Sequence, residues 1–265
     1  MNIPQFDDKA MLIDFLIENK SAIIAQKKSQ IKYADALGCA SSIVSEKGDV
    51  VKSIPDTATK IKVRSIINTT KLLDSHGDVH IDQLWNKSLK ETKDQYLVNQ
   101  HDFTFDGIIS DNVKAFAKQM TWAELGFNYE GSTQALVYDS VIDKAESPAM
   151  FERYRTGKVR QHSVGMRYVK MDLAVNDDRY DKEKAVWDKH FPVIANKEDA
   201  IDAGYFFAVT EAKNIEGSAV VRGSNFATPT YSVEEKSQPP AGTGDEPGEP
   251  TQTLDVNKLL SHYKI

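Results

Sequence analysis

The 265-residue chain has a single cysteine, Cys39, and no run approaching the roughly 18 consecutive apolar residues of a membrane span. One thiol excludes an intrachain disulfide, so stability does not depend on oxidation. Cys39 lies in Leu-Gly-Cys-Ala-Ser-Ser with no histidine nearby, which marks it as a small buried or half-buried residue rather than a nucleophile. The absent apolar run predicts no membrane partner. The start Met1-Asn-Ile-Pro-Gln-Phe-Asp-Asp8 lacks the basic and apolar regions of a secretory signal, so a soluble intracellular chain is expected. Net positive charge is also missing, with 33 Lys and Arg against 39 Asp and Glu, a formal −6. That argues against a nucleic-acid partner, which needs clustered cations. The one basic run, Arg153-Tyr-Arg-Thr-Gly-Lys-Val-Arg160, reads as a solvated helix end where cations complement the dipole.

Hydrophobic residues make up 40% of the chain, enough for a sizeable core. Met11, Leu12, Phe15, Leu16, Ile23, Ile24 and Ile31 recur near helical spacing and predict one amphipathic helix over 7–36. Strands are expected at 60–68, 108–118, 121–130, 133–142, 159–171, 205–211 and 214–222, and a short helix at 82–93. Ser147-Pro148 opens a helix that stops at Gly157. Residues 172–204, rich in Asp, Glu and Lys, read as an insertion between two strands, with a short helix at 197–203 capped by Asn196 and stopped by Gly204. The division expected is an N-terminal helical extension over 1–58, a central domain over 59–231, and a disordered linker with a short amphipathic docking peptide over 232–265.

Serine chemistry needs an aimed hydroxyl, an imidazole to take its proton, and a group that fixes the imidazole tautomer. The alternation of a strand puts Ser163, Gly165 and Arg167 on one face, and His162, Val164, Met166 and Tyr168 on the other. Ser163 therefore has the open face, with Gly165 leaving room beside it, and His162 is a poor base for it. His101 follows the apolar run Tyr96-Leu-Val-Asn99, at a strand end of the kind that presents reactive groups to a cleft. Glu216 is a carboxylate within a strand of Ile, Ala and Val, a position that calls for a partner; Glu211 competes with it. Asp74, His76, Asp78 and His80 form a metal-ligand-like cluster, but a loop lacks the helix that would align the two histidines, and no metal or cofactor is expected.

Several motifs, in order, resemble the tailed-phage prohead (capsid maturation) proteases, which share a fold with the herpesvirus assemblins. Ile66-Ile-Asn-Thr-Thr70 and Asp74-Ser-His-Gly-Asp-Val79 resemble the family's early strand and loop. Asn99-Gln-His-Asp102 resembles its His-Asp motif. Met150-Phe-Glu-Arg-Tyr-Arg-Thr-Gly157 and Gln161-His-Ser-Val-Gly-Met166 resemble the helix and nucleophile strand. Ile215-Glu-Gly-Ser-Ala-Val220 with Gly223-Ser-Asn225 resembles the third catalytic strand and its turn. The likeness covers about residues 60–230 and departs in placing His162, rather than a small or apolar residue, before the serine. It implies an α+β fold with a mostly antiparallel β-barrel core and flanking helices. It implies a serine endopeptidase with Ser163 as nucleophile, His101 as base and Glu216 as orienting acid, and an oxyanion hole at Arg222 and Gly223. The implied partners are major capsid protein and scaffold or core protein as substrates, inside a phage procapsid in the host cytoplasm. Oligomeric state stays open, the options being a homodimer, as in the herpesvirus relatives, or a higher oligomer. Self-cleavage at a terminal segment is a further expectation, and a non-catalytic capsid-core or scaffold component is the rival reading.

Overall fold

The computed structural model describes residues 3–32 and 54–236. Cys39 and the docking peptide after the C-terminal linker lie outside them. The N-terminal segment forms two helices, α1 (Lys9–Glu18) and α2 (Lys20–Ser29), where the periodicity suggested one. The break falls at Asn19, whose backbone N–H and side-chain Nδ2 both donate to the Phe15 carbonyl, at 3.0 and 2.9 Å. Asparagine competes in this way for backbone groups and weakens a helix interior. Ile13, Leu16 and Ile23 are buried in the main core of the molecule. Past α2 the chain lies against a strand, with Lys32 and Met166 exchanging two backbone hydrogen bonds of 2.8 and 3.2 Å.

The rest is α+β and built on two sheets. One is antiparallel, in the order β5 (Val113–Thr121), β6 (Ser132–Asp143), β1 (Lys60–Thr69), β9 (Thr230–Glu235). The other centres on β8 (Tyr205–Val220), which pairs antiparallel with β7 (Gln161–Val175) along one edge. Two short strands share its other edge. β2 (Asp78–His80) runs parallel to Phe207–Val209 and β3 (Leu97–Asn99) parallel to Gly217–Ala219, while β4 (Ile108–Ser110) pairs antiparallel with β3. The expected mostly antiparallel barrel is therefore corrected. Among the described residues the strands form two sheets, one of them mixed, and no closed ring. Strands of three residues offer too few ladder bonds to carry the sheet around. Between the sheets Ile61, Val63, Ile67, Leu136 and Tyr138 meet Val164, Met166, Phe207 and Val209 in one buried cluster. Each such side chain contributes about 1.5–3 kcal/mol by leaving water.

Two further strand expectations change. Residues 122–130 form turns rather than a strand. Leu125, Phe127 and Tyr129 alternate as a strand would, but the Phe127 and Tyr129 rings each pack edge to face on Trp122, and Gly126 and Gly131 take positive φ of 86° and 83°. The two strands expected over 205–222 are one 16-residue strand, β8.

The helices match their local signals more closely. They include α3 (Asn86–Glu91) and α4 (Pro148–Arg155), although the Ser147 side chain makes no cap bond. The charged insertion holds α5 (Asp181–His190) and α6 (Lys197–Ala203), and α6 stops at Gly204 with φ 75°. Trp187 and Ala200 of these helices pack on Phe206 and Ala208, at the end of β8 remote from Glu216. No helix among the described residues is long and apolar enough to cross a membrane.

Candidate active site

Strand register brings the three candidate residues together. In the β7–β8 ladder Ser163 lies opposite Ser218 and Gly165 opposite Glu216, and β3 places Val98 opposite Ser218. The chain then turns sharply. Gln100 and His101 take positive φ of 52° and 60°, a region that costs non-glycine residues energy and is kept only where surroundings enforce it. The Gln100 N–H donates to the Ala219 carbonyl at 2.9 Å, and the His101 N–H to Ser218 Oγ at 2.7 Å. Ser218 Oγ in turn donates to the Val98 carbonyl at 3.2 Å. Ser218 thus fixes the backbone that carries the imidazole. Strand alternation puts Ser218 on the face of Glu216, the one signal in the sequence that points to it.

His101 Nδ1 and Glu216 Oε1 are 2.6 Å apart, with both side chains largely buried. A carboxylate only accepts when ionised, so Nδ1 carries the proton and Nε2 is the basic nitrogen. Burial raises the Glu216 carboxyl above its ordinary value, and the hydrogen bond from His101 offsets this in part. Glu211 has a different environment. It is paired with Lys170 at 2.7 Å and Lys87 at 3.5 Å, and Lys170 holds its carboxyl below the usual range.

Gly165 explains how Glu216 fits. A Cβ at position 165 would lie 2.1 Å from Glu216 Oε1, so the carboxylate occupies the space that a side chain would take. The room beside Ser163 inferred from the sequence is therefore filled, by the third member of the candidate triad. On the opposite face a Cβ at Gly217 would lie 2.6 Å from the Tyr138 ring, so the core packs directly on the β8 backbone there. Ser163 precedes Gly165 by two residues on the same face of β7, roughly 7 Å away at strand rise. Ser163 is 2% exposed, and its Oγ forms no hydrogen bond with a described residue, His101 included. Nucleophile–base contacts are often long before substrate binds. Glu216 Oε2 is likewise buried without a hydrogen-bond partner among the described residues. Ser163 lines a narrow crevice, too tight for a water molecule, with His80, His162, Val164, Met166 and Ser224; neither His101 nor Glu216 lines it.

His162 is a core residue. Its Nδ1 faces the Thr228 carbonyl at 3.3 Å and so carries the proton, while Nε2 accepts from Ser65 Oγ at 3.0 Å and Tyr154 OH at 2.9 Å. Burial pushes it down to about 4. Of the two oxyanion candidates, Arg222 has an exposed side chain, and the Gly223 N–H donates to Gln161 Oε1 at 3.3 Å.

The loop from Asp74 to His80 is a structural polar cluster. Asp74 Oδ1 accepts from the backbone of His76 and Asp78 at 2.8 and 2.9 Å. Asp78 is met by Lys27 at 2.5 Å, Lys32 at 3.6 Å and Tyr168 OH at 2.8 Å. His80 hydrogen-bonds Asn68 at 2.9 Å. Among the described residues no group of three or more His, Cys, Asp and Glu is placed to hold a metal ion. A larger groove of about 590 Å³ runs between Asn128–Ser132 and Pro192–Ala195 and contains none of the candidate triad.

Comparisons with protein-family models, curated proteins and solved structures return no significant match to this chain.

Proposed function

We propose that the chain is a serine endopeptidase of the prohead-protease type, cleaving scaffold or major capsid protein within a procapsid in the host cytoplasm. The observation that carries this reading is the 2.6 Å contact between His101 Nδ1 and Glu216 Oε1, on the face of β7 that presents Ser163. His101 Nε2 takes the Ser163 proton as Oγ adds to the scissile carbonyl. Glu216 holds the tautomer and stabilises the imidazolium. The proton then passes to the leaving amine, and water releases the acyl group by the same steps in reverse. The ordered motifs support kinship in fold with the herpesvirus proteases, as a two-sheet variant with an opened barrel.

The test is co-expression of the chain with capsid and scaffold proteins from the same source. Wild type is expected to process them and Ser163→Ala to lose at least about 10³-fold in rate. Equal processing by both would remove the peptidase reading. The tightness of the crevice at Ser163 favours one rival, a non-catalytic capsid-core component; that reading predicts procapsid incorporation with no cleavage by either chain.

A further inference from the structure

We propose that the Ser224 hydroxyl is the oxyanion donor of this site, taking the place of the Gly223 N–H. The inference rests on the peptidase reading and deepens it. The Gly223 N–H is already committed to Gln161 Oε1 at 3.3 Å. Ser224 is 5% exposed, and its Oγ is buried with no hydrogen-bond partner among the described residues. A buried hydroxyl left unpaired is costly and needs an explanation. It lines the same crevice as Ser163, whose Oγ is in the same condition.

The turn that carries Ser224 is held on both sides. Before it stands the Gly223–Gln161 bond. After it, Asn225 Nδ2 donates to the Thr69 carbonyl at 2.9 Å, and its Oδ1 accepts from Thr69 Oγ1 and the Ala227 N–H, each at 3.0 Å. Thr228 Oγ1 ties the end of the turn to the His162 carbonyl, beside Ser163, at 2.5 Å. A donor fixed before the reaction stabilises developing charge without reorganisation.

In the addition step the bond from Ser163 Oγ to the carbonyl carbon forms, and the π pair moves onto oxygen. The Ser163 proton goes to His101, and the Ser224 O–H donates to the new oxyanion. On collapse the C–N bond breaks, the amine takes the proton from His101, and Ser224 is unchanged.

The test uses the full chain and a rhodamine-tagged fluorophosphonate, whose P–F bond is displaced by Ser163 Oγ with a phosphoryl oxygen in the oxyanion position. Wild type is expected to label and Ser163→Ala to remain unlabelled. Ser224→Ala should label about 10²-fold more slowly, the scale for loss of one oxyanion donor. Its Tm should be equal to or above wild type, because the change deletes an unpaired buried hydroxyl. Labelling within a few-fold of wild type would overturn the inference. So would slow labelling with a lowered Tm, since a purely structural serine behaves that way. A wild-type chain that takes no label removes the peptidase reading and this inference together; a labelled wild type with an equally labelled Ser224→Ala removes only this inference.

Discussion

His101 and His162 are both held against the β7–β8 pair, yet their surroundings oppose each other. His162 is enclosed by neutral groups, the Thr228 carbonyl and the Ser65 and Tyr154 hydroxyls, and burial holds it neutral down to about 4. His101 meets an ionisable carboxylate through one nitrogen, from a strained turn that closer backbone ties enforce. A histidine with neutral partners resists protonation and serves packing. One with a carboxylate behind it can take a proton and hand it on. The carboxyl of Glu216, raised by burial, and the imidazole of His162, lowered by burial, also tilt the pH dependence of stability in opposite directions. Glu216 favours the fold at acid pH, a contribution lost as pH rises through its raised value. His162 favours the fold fully above its ordinary value near 6.5, and loses that contribution as pH falls.

The sharpest way to break the contrast is Glu216→Gln. The amide cannot accept the Nδ1 proton in the same way, and the fluorophosphonate labelling rate should fall by about 10³–10⁴-fold, the scale of losing the tautomer-fixing acid. A loss below about tenfold would return His101 to the structural class. Next is Gly165→Ala, whose added Cβ must displace Glu216 from a 2.1 Å overlap. Labelling should drop by about 10²-fold even in folded protein, because small misplacements of catalytic groups cost on that scale; full activity with intact fold would show that Glu216 has other room. The smallest effect concerns His162. Between pH 6.5 and about 4 its neutral burial should withdraw about 3 kcal/mol of stability. His162→Gln should flatten the urea midpoint over that window while leaving labelling at pH 7.5 near wild type. An unchanged acid slope would contradict the burial argument, and lost labelling would move His162 into the site.

The placement of Ser163, Gly165 and His162 was legible from the sequence because β7 is regular from Gln161 to Gly165, where counting by two holds. It fails immediately beyond. Gly165 opposes Glu216 while Met166 opposes Asn214, so Ile215 is an extra residue in β8. That bulge breaks the parity between Glu211 and Glu216, and composition alone could not rank the two carboxylates; the resemblance to a family did so. The left-handed turn at Gln100 and His101 was hidden because neither residue prefers it and β8 imposes it. The service of Ser218 depends on β3 lying parallel beside it, a pairing between residues 120 positions apart. The helix break at Asn19 had a local signal, an asparagine in the middle of a predicted helix, outweighed by the apolar period on either side.

Register has a last consequence for β7. The strand is gripped at three separate places, by β8 along its length, by the Thr228–Pro229 return at Gln161 and His162, and by Lys32 at Met166. Sliding it by one position would keep the ladder's geometry and invert its meaning, offering an imidazole where a hydroxyl belongs. The three grips together act as a parity check on the strand. A strand with the wrong count still pairs with β8 but loses the match at the other two grips, so a misregistered candidate site is also a poorly held strand.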